Sequence, residues 1–488
     1  MKRRDLVRSV GAFGASVLVG RPAGAAPALA SVQPARRPAR AADLAAQLTA
    51  AIARHKVPGA SVAWYRDGQW DVAAAGITNV TTGVEITPDT VMHIGSITKV
   101  LNATLVMQLV DEGRIALDVP LRRYLPDFRL AEAAAAERIT VKMLLNHTSG
   151  IDGEILPDTG PDAERIEDAI PRIARLGQLH EPGAELSYCN AAVVLAGYLA
   201  QRITGQSWYH LIEERIFERI GLEHAVVQPA DALLHRASVG HFLDPARGAN
   251  TRTSFAFLPV SFAPAGATAM LSARDLATFA LAHLNDGLAP NGRRLVSAES
   301  ARLMRRETVG WRGAGFGGFG LGWMTHGGGI VGHGGGGPGI VSWLYADPAR
   351  KSVVAVLTNG AHGTPVLTEL CAPLFAAAGA DAPGADTERL VKEARNEPVD
   401  PKPYLGTFET VASATRVVPH ENGIAARIRA KHRFYDSISL EESPPVPLRP
   451  IRDGHFAFGA SVVTFLNPDR DGRMRHLATG GRLQKRTG

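Results

Sequence analysis

The chain has 488 residues, 45% apolar and 20% charged, which is long for one core and points to two folded units with tails. Its net charge of +6 is concentrated at one end: residues 1–25 hold Lys2, Arg3, Arg4, Arg8 and Arg21 against Asp5, so the rest balances near +2, too neutral for a nucleic-acid partner. Two cysteines, Cys189 and Cys371, exclude a disulfide framework and match no metal spacing.

In chain order, Lys2-Arg3-Arg4-Asp5-Leu6 resembles the twin-arginine export motif. A short apolar run, Val10 to Gly20, and Ala23-Gly24-Ala25 follow, predicting a signal peptide over 1–25 and a periplasmic or extracellular protein. That run is too short to cross a bilayer, and no later stretch is apolar enough for a membrane span. Residues 26–40 read as an Ala/Pro/Arg linker, with Arg36, Arg37 and Arg40 in a solvated tail.

A helix is predicted from Ala41 to His55, then a hairpin of Ala60–Tyr65 and Gln69–Ala75 around Arg66-Asp67-Gly68. Apolar residues from Ile97 to Val110 recur at helical spacing, predicting a helix over Ser96–Gly113. Residues 114–310 are mixed, with Ser272-Ala273-Arg274-Asp275 as a capping box. From Gly310, glycine-rich segments separate short apolar runs; Asp347-Pro348-Ala349-Arg350 makes a hairpin of the last two, and a helix Pro365–Ala378 closes the unit. This predicts a domain over 41–378: an antiparallel sheet flanked by helices, with a mostly helical subdomain. Residues 379–400 read as a polar linker. Turns at Asn422-Gly423, Asp453-Gly454 and Asp471-Gly472 then predict a small antiparallel β domain over 401–488, sandwich or barrel.

Three elements could carry chemistry. Only one of nine lysines, Lys99, has a serine three residues before it. On a helix these share a face, so a neutral Lys99 could take the proton of Ser96; the alternative is a capping serine beside a surface lysine. Only one of eight tyrosines, Tyr188, is followed two residues on by asparagine, Asn190. In an extended segment both would project to one side, phenol as proton shuttle and amide as substrate holder, unless Tyr188 is simply a half-buried core residue. Gly332-His333-Gly334-Gly335-Gly336 leaves backbone N–H groups bare for close approach to an oxyanion; a flexible glycine loop is the plain alternative. Cys189 reads as a buried thiol, and His147 and Thr148 as structural loop residues. The sixteen histidines form no metal-binding pattern, so no metal and no cofactor is expected.

Taken in order, Ser-x-x-Lys, Tyr-x-Asn and a glycine-rich strand with a polar head resemble the serine β-lactamase and penicillin-binding-protein superfamily: class C β-lactamases, DD-peptidases, family VIII esterases and D-aminopeptidases. Met92-His93-Ile94-Gly95-Ser96, Leu144-Leu145-Asn146-His147-Thr148-Ser149-Gly150, Pro182-Gly183, Pro264-Ala265-Gly266 and Gly337-Pro338-Gly339 fit the same family. The β domain resembles the lipocalin-like appendage of some members. The resemblance implies Ser96 as acylated nucleophile, Lys99 as its base and Tyr188 as proton shuttle and deacylation base. It implies Asn190, His333, Gly334 and Gly335 as substrate-binding residues, and the N–H groups of Ser96 and Gly336 as oxyanion hole.

His333 stands where the family usually has lysine. Losing that cation weakens the case for carboxylate-bearing penicillins and peptides and favours esters or amides. The expected function is therefore a serine hydrolase acting on a small-molecule or peptide substrate. The alternatives are an acyltransferase or cyclase of the same fold, a β-lactamase or DD-carboxypeptidase, and a slowly turning over penicillin-binding sensor. The pattern names neither the substrate nor an oligomeric state.

Overall fold

The computed structural model describes residues 41–154, 165–421, 423–432, 439–452 and 454–488. The expected signal peptide and first linker, and Asn422 and Asp453 of two expected turns, lie outside them. Helix α1 (Ala41–Arg54) buries Leu44, Leu48, Ala51 and Ile52, the stripe expected of a helix laid on a core. Strands β1 (Gly59–Arg66) and β2 (Gln69–Gly76) pair around Asp67 and Gly68, whose φ values of 51° and 76° suit the tight hairpin turn of twisted strands.

Three two-residue strands, β3 (Val309–Gly310), β4 (Gly318–Phe319) and β5 (Met324–Thr325), precede three long ones: β6 (Val331–Gly337), β7 (Ile340–Asp347) and β8 (Ser352–Thr358). Together with the first hairpin they make an eight-stranded sheet in the order β2-β1-β8-β7-β6-β5-β4-β3, antiparallel throughout. Strand β8 alternates as a two-sided strand should. Val354 and Val356 join the core under α1 and helix α5 (Thr364–Ala377). Val353, Ala355 and Leu357 join the larger core, which holds α2 (Thr98–Asp111), α3 (Asn190–Thr204) and α4 (Ala273–Leu284). Ser272 caps α4, its Oγ accepting from the Asp275 N–H at 3.1 Å, but the reciprocal half of the expected capping box is not made: the Ser272 N–H donates to the His224 carbonyl and Asp275 Oδ2 accepts from the His224 N–H.

Within the stretch read as a polar linker, nine residues form helix α6 (Ala385–Glu393). Its charged residues are good helix formers: Arg389 and Glu393 pair at 3.3 Å one turn apart, and Leu390 is buried. The C-terminal β domain is a closed barrel of β9 (Gly406–Glu409), β10 (Ser413–His420), β11 (Gly423–Ala430), β12 (Val446–Arg452), β13 (His455–Phe458), β14 (Ser461–Pro468), β15 (Met474–Thr479) and β16 (Arg482–Arg486). Each strand pairs with the next, and Phe408 opposite Arg486 closes β16 onto β9. Phe408, Val417, Phe456, Phe465 and Leu477 fill the interior.

The barrel is pressed against one face of the main domain. Leu466, Ala478 and Leu483 pack with Leu186, Tyr188, Trp311 and Phe319. Polar contacts frame this seam: Asn467 Nδ2 donates to Glu185 at 2.9 Å, Thr410 Oγ1 to Glu154 at 2.5 Å and the Val411 N–H to Asp152 at 2.7 Å. Tyr188 is thus covered by the second domain. Among the described residues, no helix is long and apolar enough to cross a membrane.

Candidate active site

After Ile94 the backbone turns left-handed at Gly95 (φ 53°), makes a 3-10 turn over Gly95–Ile97 and continues as α2. Ser96 therefore sits on a tight turn ahead of the helix, not on its first α-turn as predicted. His93 braces this turn: its Nδ1 accepts from the Gly95 N–H at 3.0 Å and its Nε2 reaches the Ala267 carbonyl at 3.0 Å.

Every residue of α2 from Thr98 to Leu109 is buried, so this is an interior helix, enclosed on every side, with polar residues such as Asn102, Thr104 and Gln108 buried among its apolar ones. Lys99 is 1% exposed. Its Nζ donates to Ser96 Oγ at 2.9 Å and to the Ala265 carbonyl. Burial pushes its pKa well below the usual lysine value, and the charge of Arg482 adds to this against a smaller opposing effect of Cys189. A lysine whose charged form is disfavoured by burial can give up a proton and then take that of Ser96, for which a surface lysine is not suited.

Tyr188 is buried, and its hydroxyl has no hydrogen-bond partner. Burial raises its pKa, with the Ser96 hydroxyl and Arg482 opposing, so the resting group is a phenol. Its ring stacks on His147 at 4.4 Å between centroids, and His147 Nδ1 accepts from the Cys189 N–H at 3.1 Å. Lys99 Nζ lies 4.9 Å from the same ring centroid.

Asn190 opens α3, and Cys189 between it and Tyr188 keeps an extended backbone (φ −135°, ψ 111°), the conformation in which residues two apart project to one side. The helix starts there because Cys189 Sγ caps it, accepting from the Ala192 N–H at 3.3 Å. Asn190 Nδ2 donates to the Glu154 carbonyl at 3.2 Å. The Cys189 thiol is pushed up to about 11, mainly by burial, which fits a structural cysteine.

Strand β6 brings its glycines against the Ser96 turn. A Cβ on Gly335 would come 1.9 Å from the Ile94 carbonyl oxygen, and one on Gly95 would come 2.5 Å from the Gly336 nitrogen. No side chain fits at either place, so glycine allows Gly336 to lie beside the residue preceding Ser96. Gly334 is different: a Cβ there would meet only Trp343, at 3.6 Å. His333 is buried, with Nδ1 against the Gly334 carbonyl at 2.6 Å and Nε2 without a partner. Burial, then the Lys99 charge, lower its pKa to about 3, so it is neutral throughout the physiological range.

Two further side chains belong to this cluster. His147, read as a loop residue, is under the Tyr188 ring. Arg482 comes from β16, with its guanidinium carbon 4.8 Å from the Tyr188 ring centroid. No local motif marks Arg482, and only the docking of the barrel brings it here. Among the described residues, no group of three or more His, Cys, Asp or Glu is placed to hold a metal ion.

Residues 42–370 match the family model described as Beta-lactamase. Penicillin-binding protein 4 of Amycolatopsis lactamdurans is 36% identical over 368 residues, 74% of this chain and 95% of that protein. Among solved structures, SurE matches with a TM-score of 0.72 at 26% identity, over 92% of this chain and 99% of its own. A D-stereospecific amidohydrolase from Streptomyces sp. matches with a TM-score of 0.55 at 27% identity, over 68% of this chain and 98% of its own.

Proposed function

Because this chain belongs to the beta-lactamase family, we propose that it is a serine hydrolase that cleaves amide or ester bonds through an acyl-Ser96 intermediate. The observation that carries this reading is the buried Lys99 amine, 2.9 Å from Ser96 Oγ and depressed in pKa by burial. Lys99 Nζ takes the Ser96 proton as Oγ attacks the substrate carbonyl. The N–H groups of Ser96 and Gly336 receive the oxyanion. Tyr188 relays the proton from Lys99 to the leaving group, acting as a phenol whose raised pKa keeps its proton between turnovers. A water then attacks the acyl-serine, giving its proton back through Tyr188 and Lys99 as Ser96 Oγ leaves.

Asn190, tied through Nδ2, turns its other end to the substrate. His333 contributes an acceptor nitrogen and no charge. The D-stereospecific amidohydrolase among the similar structures favours amides with a D-configured residue at the scissile bond. The twin-arginine-like segment at 2–8 favours a site of action outside the cytoplasm.

The test is p-nitrophenyl butyrate turnover by the wild type and Ser96→Ala, with intact mass recorded during reaction. Steady release with a transient butyryl adduct, both lost in the variant, is expected. Release unchanged in Ser96→Ala overturns the nucleophile assignment; a permanent adduct without turnover replaces hydrolysis with a one-time acylated sensor.

A further inference from the structure

The last hairpin of the barrel, β15–β16, carries a cation into the catalytic cluster. It turns at Gly480 and Gly481, both with positive φ, and is fastened to the strip that bears Tyr188. The Tyr188 N–H donates to the Gly481 carbonyl at 2.9 Å, and the Leu483 N–H to Ser187 Oγ at 3.1 Å. Arg482, between these anchors, is 5% exposed.

Its guanidinium lacks what a buried charge requires. Nε and Nη2 are both buried without a hydrogen-bond partner. The ring of Tyr188 can meet the flat face of the group, but it cannot accept the N–H bonds that lie in the guanidinium plane. The groups whose ionisation Arg482 influences include Lys99, His147 and Tyr188, none of them an anion at neutral pH. Elsewhere in the barrel the pattern differs: Arg416 is paired with Glu442 at 2.6 Å. An uncompensated buried charge is costly, so its retention beside a nucleophile calls for a partner that arrives with the substrate.

The identity of the two free nitrogens specifies that partner. Nε and Nη2 share one edge of the guanidinium and present two parallel N–H bonds, the spacing that matches the two oxygens of a carboxylate. We propose that Arg482 is the anion-binding residue of this active site and that the substrate carries a carboxylate held by that edge. The main domain offers no such cation at position 333, where a neutral histidine stands; the barrel supplies one beside the Tyr188 ring. The second domain thereby becomes part of the specificity machinery, and carboxylate-bearing peptides, which His333 alone disfavours, return as substrates.

This deepens the acyl-serine reading and rests on it for the bond that is broken, but the anion site is testable without chemistry. The full chain carrying Ser96→Ala is titrated calorimetrically with N-acetyl-D-alanyl-D-alanine and with its C-terminal amide. The acid is expected to bind at least about tenfold more tightly than the amide. Adding Arg482→Gln removes that preference, and adding Arg482→Lys keeps part of it, because a point charge remains without the fork. Should the Gln variant fail to fold by circular dichroism, the Lys variant decides alone through a preference reduced several-fold. Equal binding of acid and amide, binding of neither, or a preference untouched by these substitutions overturns the proposal. None of these outcomes bears on the acyl adduct, which the mass experiment reads separately.

Discussion

Lys99 Nζ and Ser96 Oγ meet at 2.9 Å at the head of a helix that has no exposed side along its first twelve residues, so the protein keeps an amine where water solvates its charge poorly. Burial lowers the pKa of Lys99 in the folded state, whereas the unfolded chain holds that proton up to about pH 10.4. Below that pH the unfolded state binds more protons, and stability rises as pH rises toward it. Lys99→Met fills similar volume without the amine. We expect it to lower kcat/KM by about 10³-fold while melting higher than the wild type at pH 7. The gap in melting temperature should narrow by pH 9.5. A gap that widens with pH would contradict a neutral buried Lys99.

Gly335 tests whether the nucleophile turn depends on strand contact. Its Cβ would fall 1.9 Å from the Ile94 oxygen and 2.4 Å from Ser342 Oγ. The first of these is backbone and cannot rotate away. Gly335→Ala must push β6 from the turn, separating Gly336 from Ser96. A loss of about 10²-fold in kcat/KM is expected from such a displacement, with a melting temperature lowered by several degrees. Gly334→Ala, which meets only Trp343 at 3.6 Å, serves as the stability control and should melt within about a degree of the wild type. Equal melting of the two variants would place the steric demand elsewhere.

What the sequence disclosed follows from how local each signal is. Ser96 and Lys99 are one helical repeat apart, so spacing alone put them together. The glycines of β6 were visible because a run without Cβ atoms has few other uses, and the turn glycines of the C-terminal segment marked a β domain. That Asn190 opens a helix was not legible, because the cap is Cys189 Sγ, a residue type that does not announce an N-cap. Helix α6 was hidden by a polar composition that suits a helix as well as a linker. His147 adopts φ 61° in a loop that stacks on Tyr188, a contact with no sequence period. Arg482 was out of reach of any spacing argument: it lies 294 positions after Tyr188 in the chain, and only the docking of a closed barrel makes them neighbours.

That docking carries its own pH dependence. Asp152 faces the barrel at the seam, with Oδ2 accepting from the Val411 N–H at 2.7 Å and Oδ1 buried without a partner. Its pKa is raised to about 7, chiefly by burial, with the Glu154 charge adding and the Val411 N–H and Lys431 opposing. In the unfolded chain the same carboxyl titrates near 3.9. Between these values the folded state holds a proton that the unfolded state releases. The contribution of Asp152 to stability is therefore full below about pH 4 and is lost as pH rises through about 7. An asparagine side chain at this place would imitate the protonated acid and keep an acceptor for Val411. Asp152→Asn should melt with the wild type near pH 4 and above it at pH 8, and the Val411 amide should exchange more slowly than wild type at pH 8 once corrected for the intrinsic rate. A melting difference that is constant from pH 4 to 8 would mean that Asp152 keeps its charge at the seam, and the barrel would then be held on a buried carboxylate instead of a neutral acid.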